Sequence, residues 1–222
     1  MLEGERRRCG LNMSTPLTMF RVLTVALAGA LFQTSAARAQ RDSASTSSAT
    51  LLPAEQQIQA AVLAAPESLR AGATVLGYAA DGHLTTLRRG RGELICLASN
   101  PKSDQFHVAC YHKSLEPFMA RGRSLRAHGI QGDKVDSVRF TEARAGKLRL
   151  PNHPAMLYSL TGPAGSFDPT SGTAPKAKPL FVMYVPFATQ RSTGLSETPV
   201  QGGPWIMDPG TPKAHIMFEP GM

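Results

Sequence analysis

The sequence predicts an α+β domain: a mainly antiparallel sheet with two or three flanking helices, held by one disulfide. Three observations carry this. Short runs rich in β-branched and apolar residues are separated by turns containing Gly, Pro and Asp, the pattern of hairpin-linked strands. The stretches 53–65 and 114–129 instead repeat apolar residues at helical spacing. Two of the three cysteines, Cys96 and Cys110, bracket a loop beside the clearest strand and helix signals. Flanking helices mixed with hairpin-linked strands pack as α+β.

The chain opens on a targeting pattern. Arg6, Arg7, Arg8 and Arg21 precede and flank the apolar run 22–32, and Ala37-Arg38-Ala39 has the small-x-small form of a cleavage site. The run is about half the roughly 20 residues needed to cross a bilayer core, so a signal peptide over 1–39 is expected and no stable membrane anchor after its removal. Met13 and Met19 are alternative initiators that leave a more usual leader length. The residues after Arg7-Arg8 match the twin-arginine pattern poorly, and Cys9 precedes the apolar run, which excludes it as a lipidated cysteine. Cleavage leaves residues 40–222, enough for one ordinary domain. It also removes five arginines against Glu3 and Glu5, lowering the net charge of +8 to about +5. Arg88, Arg89 and Arg91 form the densest basic cluster, followed by Arg121, Arg123 and Arg126. Nucleic-acid binding would want such clusters interleaved with stacking aromatics, which are sparse here; a solvated basic face is expected and no nucleic-acid partner.

Residues 40–50 are rich in Ser, Thr and Ala without apolar periodicity, so a disordered linker is expected over 40–52 and a single domain over 53–222. Ile58, Ala61, Val62 and Ala65 predict a helix that Pro53 suits in its first turn and Pro66 ends. Val75, Leu76 and Tyr78, the turn Asp81-Gly82, and the run from Leu84 to Leu87 predict a hairpin. The run 93–97 reads as a third, buried strand. Gly90-Arg91-Gly92 lacks the third glycine and following helix of a phosphate loop, so it reads as a turn. Residues 106–111 are again extended. Ser114 is the expected helix N-cap, with Glu116 at the positive end, Pro117 in the first turn, and Leu115, Phe118, Met119, Gly122 and Leu125 along one face. His128 and Gly129 close that helix. Strands are expected around 137–141, 147–150 and 155–160, a long loop over 162–179, a central strand over 180–187, a loop over 190–203, and a closing pair over 205–207 and 214–218.

In an oxidising compartment the default state of Cys96 and Cys110 is a disulfide, and closing a loop of about 15 residues contributes roughly 3 kcal/mol in the chain-entropy model. Zinc thiolates are the rival, but neither a CxxC nor a second cysteine pair exists. The six histidines make no HExxH, and no GxSxG occurs. His112 and Glu116 stand four residues apart, and His215 follows a Gly-Thr-Pro turn, so these three are the candidates for an acid–base or metal site. The competing reading has His112 exposed and His215 a hydrogen-bonded structural residue. Tyr111, Tyr158, Tyr184 and Trp205 can line a pocket or fill the core, the commoner fate of aromatics on strands. Met156, Met183, Met207 and Met217 read as core filler.

The pattern Gly92, Cys96-Leu97, Cys110-Tyr111, Arg121, Leu125-Arg126 and Gly129, with the ending Gly210-Thr211-Pro212-Lys213-Ala214-His215, resembles a group of uncharacterised exported bacterial proteins. The likeness is spread over residues 54–219. It departs where those proteins carry Asn-Gly-aromatic-Thr before the first cysteine, here Gly92-Glu93-Leu94-Ile95, and an acidic residue after Cys-Tyr, here His112. The resemblance implies export and a common fold and transfers no activity. The leading expectation is a periplasmic or secreted, non-catalytic domain binding a small molecule, envelope component or protein partner, without a cofactor, through Tyr111, His112, Glu116, Tyr158 and His215. The alternative is a metal-dependent or acid–base hydrolase using the His112, Glu116 and His215 region.

Overall fold

The computed structural model describes residues 51–200 and 202–220, so the leader and residues 40–50 of the linker lie outside the described residues. Helix α1 (Ala54–Val62) starts after Pro53, whose fixed φ of −53° sets up the first turn. It stops before Pro66, which opens a separate short helix α2 (Glu67–Arg70) rather than closing α1. Leu51 and Leu52 are half-buried, and Leu52 packs on the core beneath α1, so the ordered domain reaches into the stretch expected to be linker.

Strands β1 (Thr74–Tyr78) and β2 (Leu84–Arg88) form the expected hairpin, with Gly82 at φ +79° in its turn. β3 (Leu94–Leu97) and β4 (Gln105–His112) follow, then β5 (Ala155–Pro163), β6 (Lys178–Tyr184), β7 (Trp205–Met207) and β8 (His215–Phe218). All eight lie in one sheet ordered β2-β1-β3-β4-β5-β6-β8-β7. Every neighbouring pair is antiparallel except β1 and β3, which are parallel. The short helix α5 (Gln190–Thr193), closed by a reciprocal Thr189–Ser192 capping box, interrupts the loop expected over 190–203.

Both faces of the sheet are packed, and alternation along the strands sorts residues between them. Val75, Cys96, Val108 and Cys110 face α1 and the turn after it, where Ala60, Ala61, Ala64 and Ala65 are small enough to let the backbone lie close. Cys96 and Cys110 are directly paired across β3 and β4, bonded at 2.07 Å, and both fully buried. Ile95, Leu97, Tyr111, Leu157, Val182 and Tyr184 face the other way, towards Leu115 and Phe118.

That second layer is made by α3 (Glu116–Ala127) and α4 (Asp133–Arg144). α3 is the helix the sequence predicts, with Phe118, Gly122 and Leu125 buried and Gly129 left-handed at φ +82° after its end. Its start differs. Lys113–Leu115 form a 3-10 turn ahead of it, and the capping acceptor is the His112 ring, whose Nδ1 takes the Ser114 amide at 3.2 Å. Ser114 therefore lies two residues inside the cap it was expected to form.

α4 replaces the strands expected over 133–150. The alternation Ser137, Val138, Arg139, Phe140 suggests a strand, yet the buried positions are Val135 and Arg139, four apart. The Arg139 guanidinium lies 3.9 Å above the Phe118 ring and donates to Phe118 O at 3.2 Å. A charged residue thus occupies the core stripe, and hydrophobic periodicity is blind to it. Asp133 and Asp136 in the first turn and Arg144 in the last suit the helix dipole. Beyond Gly146, Leu148 and Leu150 tuck into the core without pairing as a strand.

Candidate functional site

The five residues expected to bind fall into four neighbourhoods. Tyr111 and Glu116 meet each other and Arg123, a member of the second basic cluster. The Tyr111 hydroxyl donates to Glu116 Oε2 at 2.5 Å, and Arg123 donates to the Tyr111 oxygen at 2.8 Å and to Glu116 Oε1 at 2.6 Å. Burial pushes the Tyr111 phenol well above its ordinary range. This closed triangle fastens the start of α3 to β4 and leaves the Tyr111 hydroxyl doubly engaged.

His112 is turned towards the opposite side of β4. Its Nδ1 accepts the Ser114 amide, so the neutral ring carries its proton on Nε2, 3.5 Å from Glu93 Oε2. The His153 ring stands edge-on at 5.5 Å, and Lys113 holds the other Glu93 oxygen at 2.9 Å. Tyr158 is paired with Cys110 across β4 and β5 and lies edge-on to Phe181 at 5.5 Å, part of the packing around α1.

His215 sits elsewhere. It is on β8, three strand spacings from β4, about 14 Å across the sheet. The structure therefore does not bring His112, Glu116 and His215 together, and the hydrolase reading loses its geometry. Among the described residues no group of three His, Cys, Asp or Glu is arranged to hold a metal ion.

His215 instead belongs to a polar knot between α4 and the turn 208–214. Its Nδ1 donates to Lys213 O at 2.8 Å, its ring stacks on Tyr184 at 5.4 Å, and Asp208 lies 3.8 Å away. Lys213 bridges Asp136 at 3.0 Å and Asp208 at 3.3 Å, and Arg139 completes the pair with Asp136. Burial alone would raise the Asp136 carboxyl, but Arg139 and Lys213 outweigh it and hold it below its usual value. The Gly-Thr-Pro-Lys-Ala-His ending is thus an anchor: Thr211 O accepts the amide of Phe187, which, with Asp208, is one of the two non-glycine residues at positive φ among the described residues.

Burial pushes the His215 imidazole below its ordinary range. The ring takes up a proton less readily when folded than when unfolded. Its contribution to stability is therefore complete above the unfolded value of about 6.5 and is lost as pH falls from there through the folded value. The urea midpoint of the native chain is expected to drop on going from pH 7 to pH 5, and His215→Gln to flatten that part of the profile. Parallel profiles for the two proteins would refute this.

The concavity able to enclose a ligand lies apart from all of these residues. A cleft of about 410 Å³ opens between the start of α1, the β3–β4 connection and the loop after β5. Leu51, Leu52, Ala60, Ala98, Phe106 and Phe167 make its apolar wall. Phe106 and Phe167 are buried, so the wall is part of the core rather than mobile surface. Ser99, Asn100, Asp104 and Gln105 supply polar groups. Gln57 holds the cleft's frame: its amide donates to Leu52 O at 2.8 Å and Tyr78 O at 2.9 Å and accepts the Tyr78 amide at 2.8 Å. It stands in for a strand neighbour where β3 no longer pairs with β1. No residue of the expected binding set lines this cleft. Its walls come from three segments without a motif, and only the length of the loop over 162–179 pointed there. A larger hollow, about 600 Å³, lies beside Gly129–Lys134, but one turn alone lines it and nothing faces that turn across the opening.

No protein-family model, curated protein sequence or solved structure matches the chain. The fold defines an α+β domain with an eight-stranded open sheet and one buried disulfide. Among the described residues no helix is long and apolar enough to cross a membrane.

Proposed function

We propose that this is an exported bacterial binding domain, periplasmic or secreted, that holds a small and mainly apolar molecule with one polar end. The observation that carries the reading is the cleft of about 410 Å³, of a size ordinary ligand sites have, with an apolar wall and a few polar groups at its rim. Asp104 is the one acidic residue among its lining side chains, which favours a neutral or cationic polar end over an anion. Export is supported by the leader pattern and by a buried disulfide of the kind that oxidising compartments sustain.

One experiment tests both parts. Protein recovered from the periplasm of an expressing bacterium is expected to begin at Gln40 by mass. It should bind the neutral fluorescent probe N-phenyl-1-naphthylamine saturably. Ala164 is exposed on the cleft margin, and Ala164→Trp should weaken the probe at least tenfold while leaving the melting temperature unchanged. Retention in the cytosol refutes export. Probe binding that ignores the filled cleft refutes the site.

A further inference from the structure

The densest basic cluster among the described residues, Arg88, Arg89 and Arg91, lies at one end of a sheet edge, and that juxtaposition has a use. Among the described residues β2 has β1 as its sole strand neighbour. Leu84, Thr85 and Thr86 are exposed. The hairpin turn fixes which backbone groups face outward. The Ala79 amide donates to His83 O at 3.0 Å, so Ala79 and His83 make a hydrogen-bonded pair. Pairs alternate along an antiparallel ladder. Tyr78 and Leu84 are therefore a non-hydrogen-bonded pair, Gly77 and Thr85 a bonded one, and Leu76 and Thr86 again non-bonded. An independent contact agrees: the Tyr78 amide and carbonyl are turned away from β2 and taken by Gln57. The N–H and C=O of Leu84 and Thr86 consequently point away from the sheet.

Edges of this kind are usually blunted by a proline, a bulge turned outward or a charge within the strand. The run Leu84-Thr85-Thr86-Leu87 has no proline and no charge, and its threonines favour extended backbone. Its one irregularity is a bulge at Leu87, where Val75 pairs with Arg88 and Leu76 with Thr86, beyond the outward groups of Leu84 and Thr86. Charge gathers at one end instead. Arg88 is tied down, donating to Arg70 O at 2.6 Å and to Ala73 O at 3.1 Å. Arg89 and Arg91 are exposed, and neither has a carboxylate partner among the described residues.

We propose that the free edge of β2 accepts an extended peptide strand whose acidic end lies against Arg89 and Arg91. Main-chain hydrogen bonds to Leu84 and Thr86 supply the pairing, and the two guanidinium groups set register and direction. In the antiparallel sense, which most of this sheet adopts, the acidic residues stand at the peptide's N-terminal end. This surface shares no residue with the cleft lining, so the two readings fail separately.

The test uses acetylated peptides of alternating valine and threonine, opened either by two glutamates or by two lysines, titrated against the purified chain. The glutamate peptide should bind saturably and at least tenfold more tightly than the lysine peptide. Thr86→Pro removes one outward N–H without touching the bonds to β1, and should weaken the glutamate peptide at least tenfold at an unchanged unfolding midpoint. The double variant Arg89→Glu with Arg91→Glu, both on the surface, should invert the preference between the peptides. Equal affinity for the two peptides, or binding indifferent to Thr86→Pro, overturns the proposal. So does self-association of the chain that Thr86→Pro dissolves, since the edge would then belong to a second copy.

Discussion

Replacing Cys96 and Cys110 together by alanine is expected to lower the unfolding free energy by about 3 kcal/mol through the released chain alone. The bond joins directly opposed residues of β3 and β4 with their Cα atoms 3.9 Å apart, at a sequence separation of 14. Cys110 Sγ also lies 3.3 Å from Ala61 O, so the bridge is the floor on which α1 rests. Truncating both side chains adds a packing loss to the entropic one, because the sulfurs are fully enclosed. Equilibrium urea unfolding of the two proteins measures the difference. The same enclosure predicts that dithiothreitol leaves the folded protein oxidised and reduces it only at urea concentrations that open it. Thiols appearing at once in the native protein would show that the bridge is not buried beneath α1.

Gly90→Ala is the single substitution with the largest expected cost. A Cβ there would stand 2.1 Å from Gly72 O and 2.4 Å from the Ala73 carbonyl carbon, both main-chain atoms with no side-chain freedom to yield. The connection between β2 and β3 cannot simply drift away, since Gly90 N donates to Thr74 Oγ1 at 3.1 Å and Gly92 N to Gly72 O at 2.8 Å. Forced overpacking of this kind costs about 3 kcal/mol. Gly129→Ala is the matched control. Its φ of +82° disfavours alanine, but nothing lies near the added carbon, so about 1 kcal/mol is expected. Equal losses at the two positions would mean that backbone conformation, and not crowding, explains Gly90. The Gly-Arg-Gly spacing therefore serves the close passage of two main chains, which agrees with its reading as a turn.

Local chemistry made much of this architecture legible. Asp81-Gly82 between two apolar runs announced the hairpin, the pair of cysteines announced the bridge, and the apolar face from Leu115 to Leu125 announced α3. What escaped was decided by neighbours distant in the chain. Arg139 fills a core position because Phe118 lies beneath it, so α4 carried an alternating pattern and read as strand. His112 caps the helix in place of Ser114 because β4 runs straight into it. The parallel pairing of β1 with β3 leaves no trace in either strand's sequence. The candidate site was the least legible part. Tyr111 and Glu116, expected to bind, engage each other and Arg123 instead of facing a cleft. The cleft arises where three unremarkable segments meet.

The position of β8 bears on how the sheet is assembled. It comes last in chain order but is laid between β6 and β7. Until it arrives, β6 keeps an open flank and β7 has no antiparallel neighbour. A chain delivered in sequence therefore reaches its final architecture in a single late insertion, and it is most vulnerable to pairing with the wrong molecule immediately before that insertion.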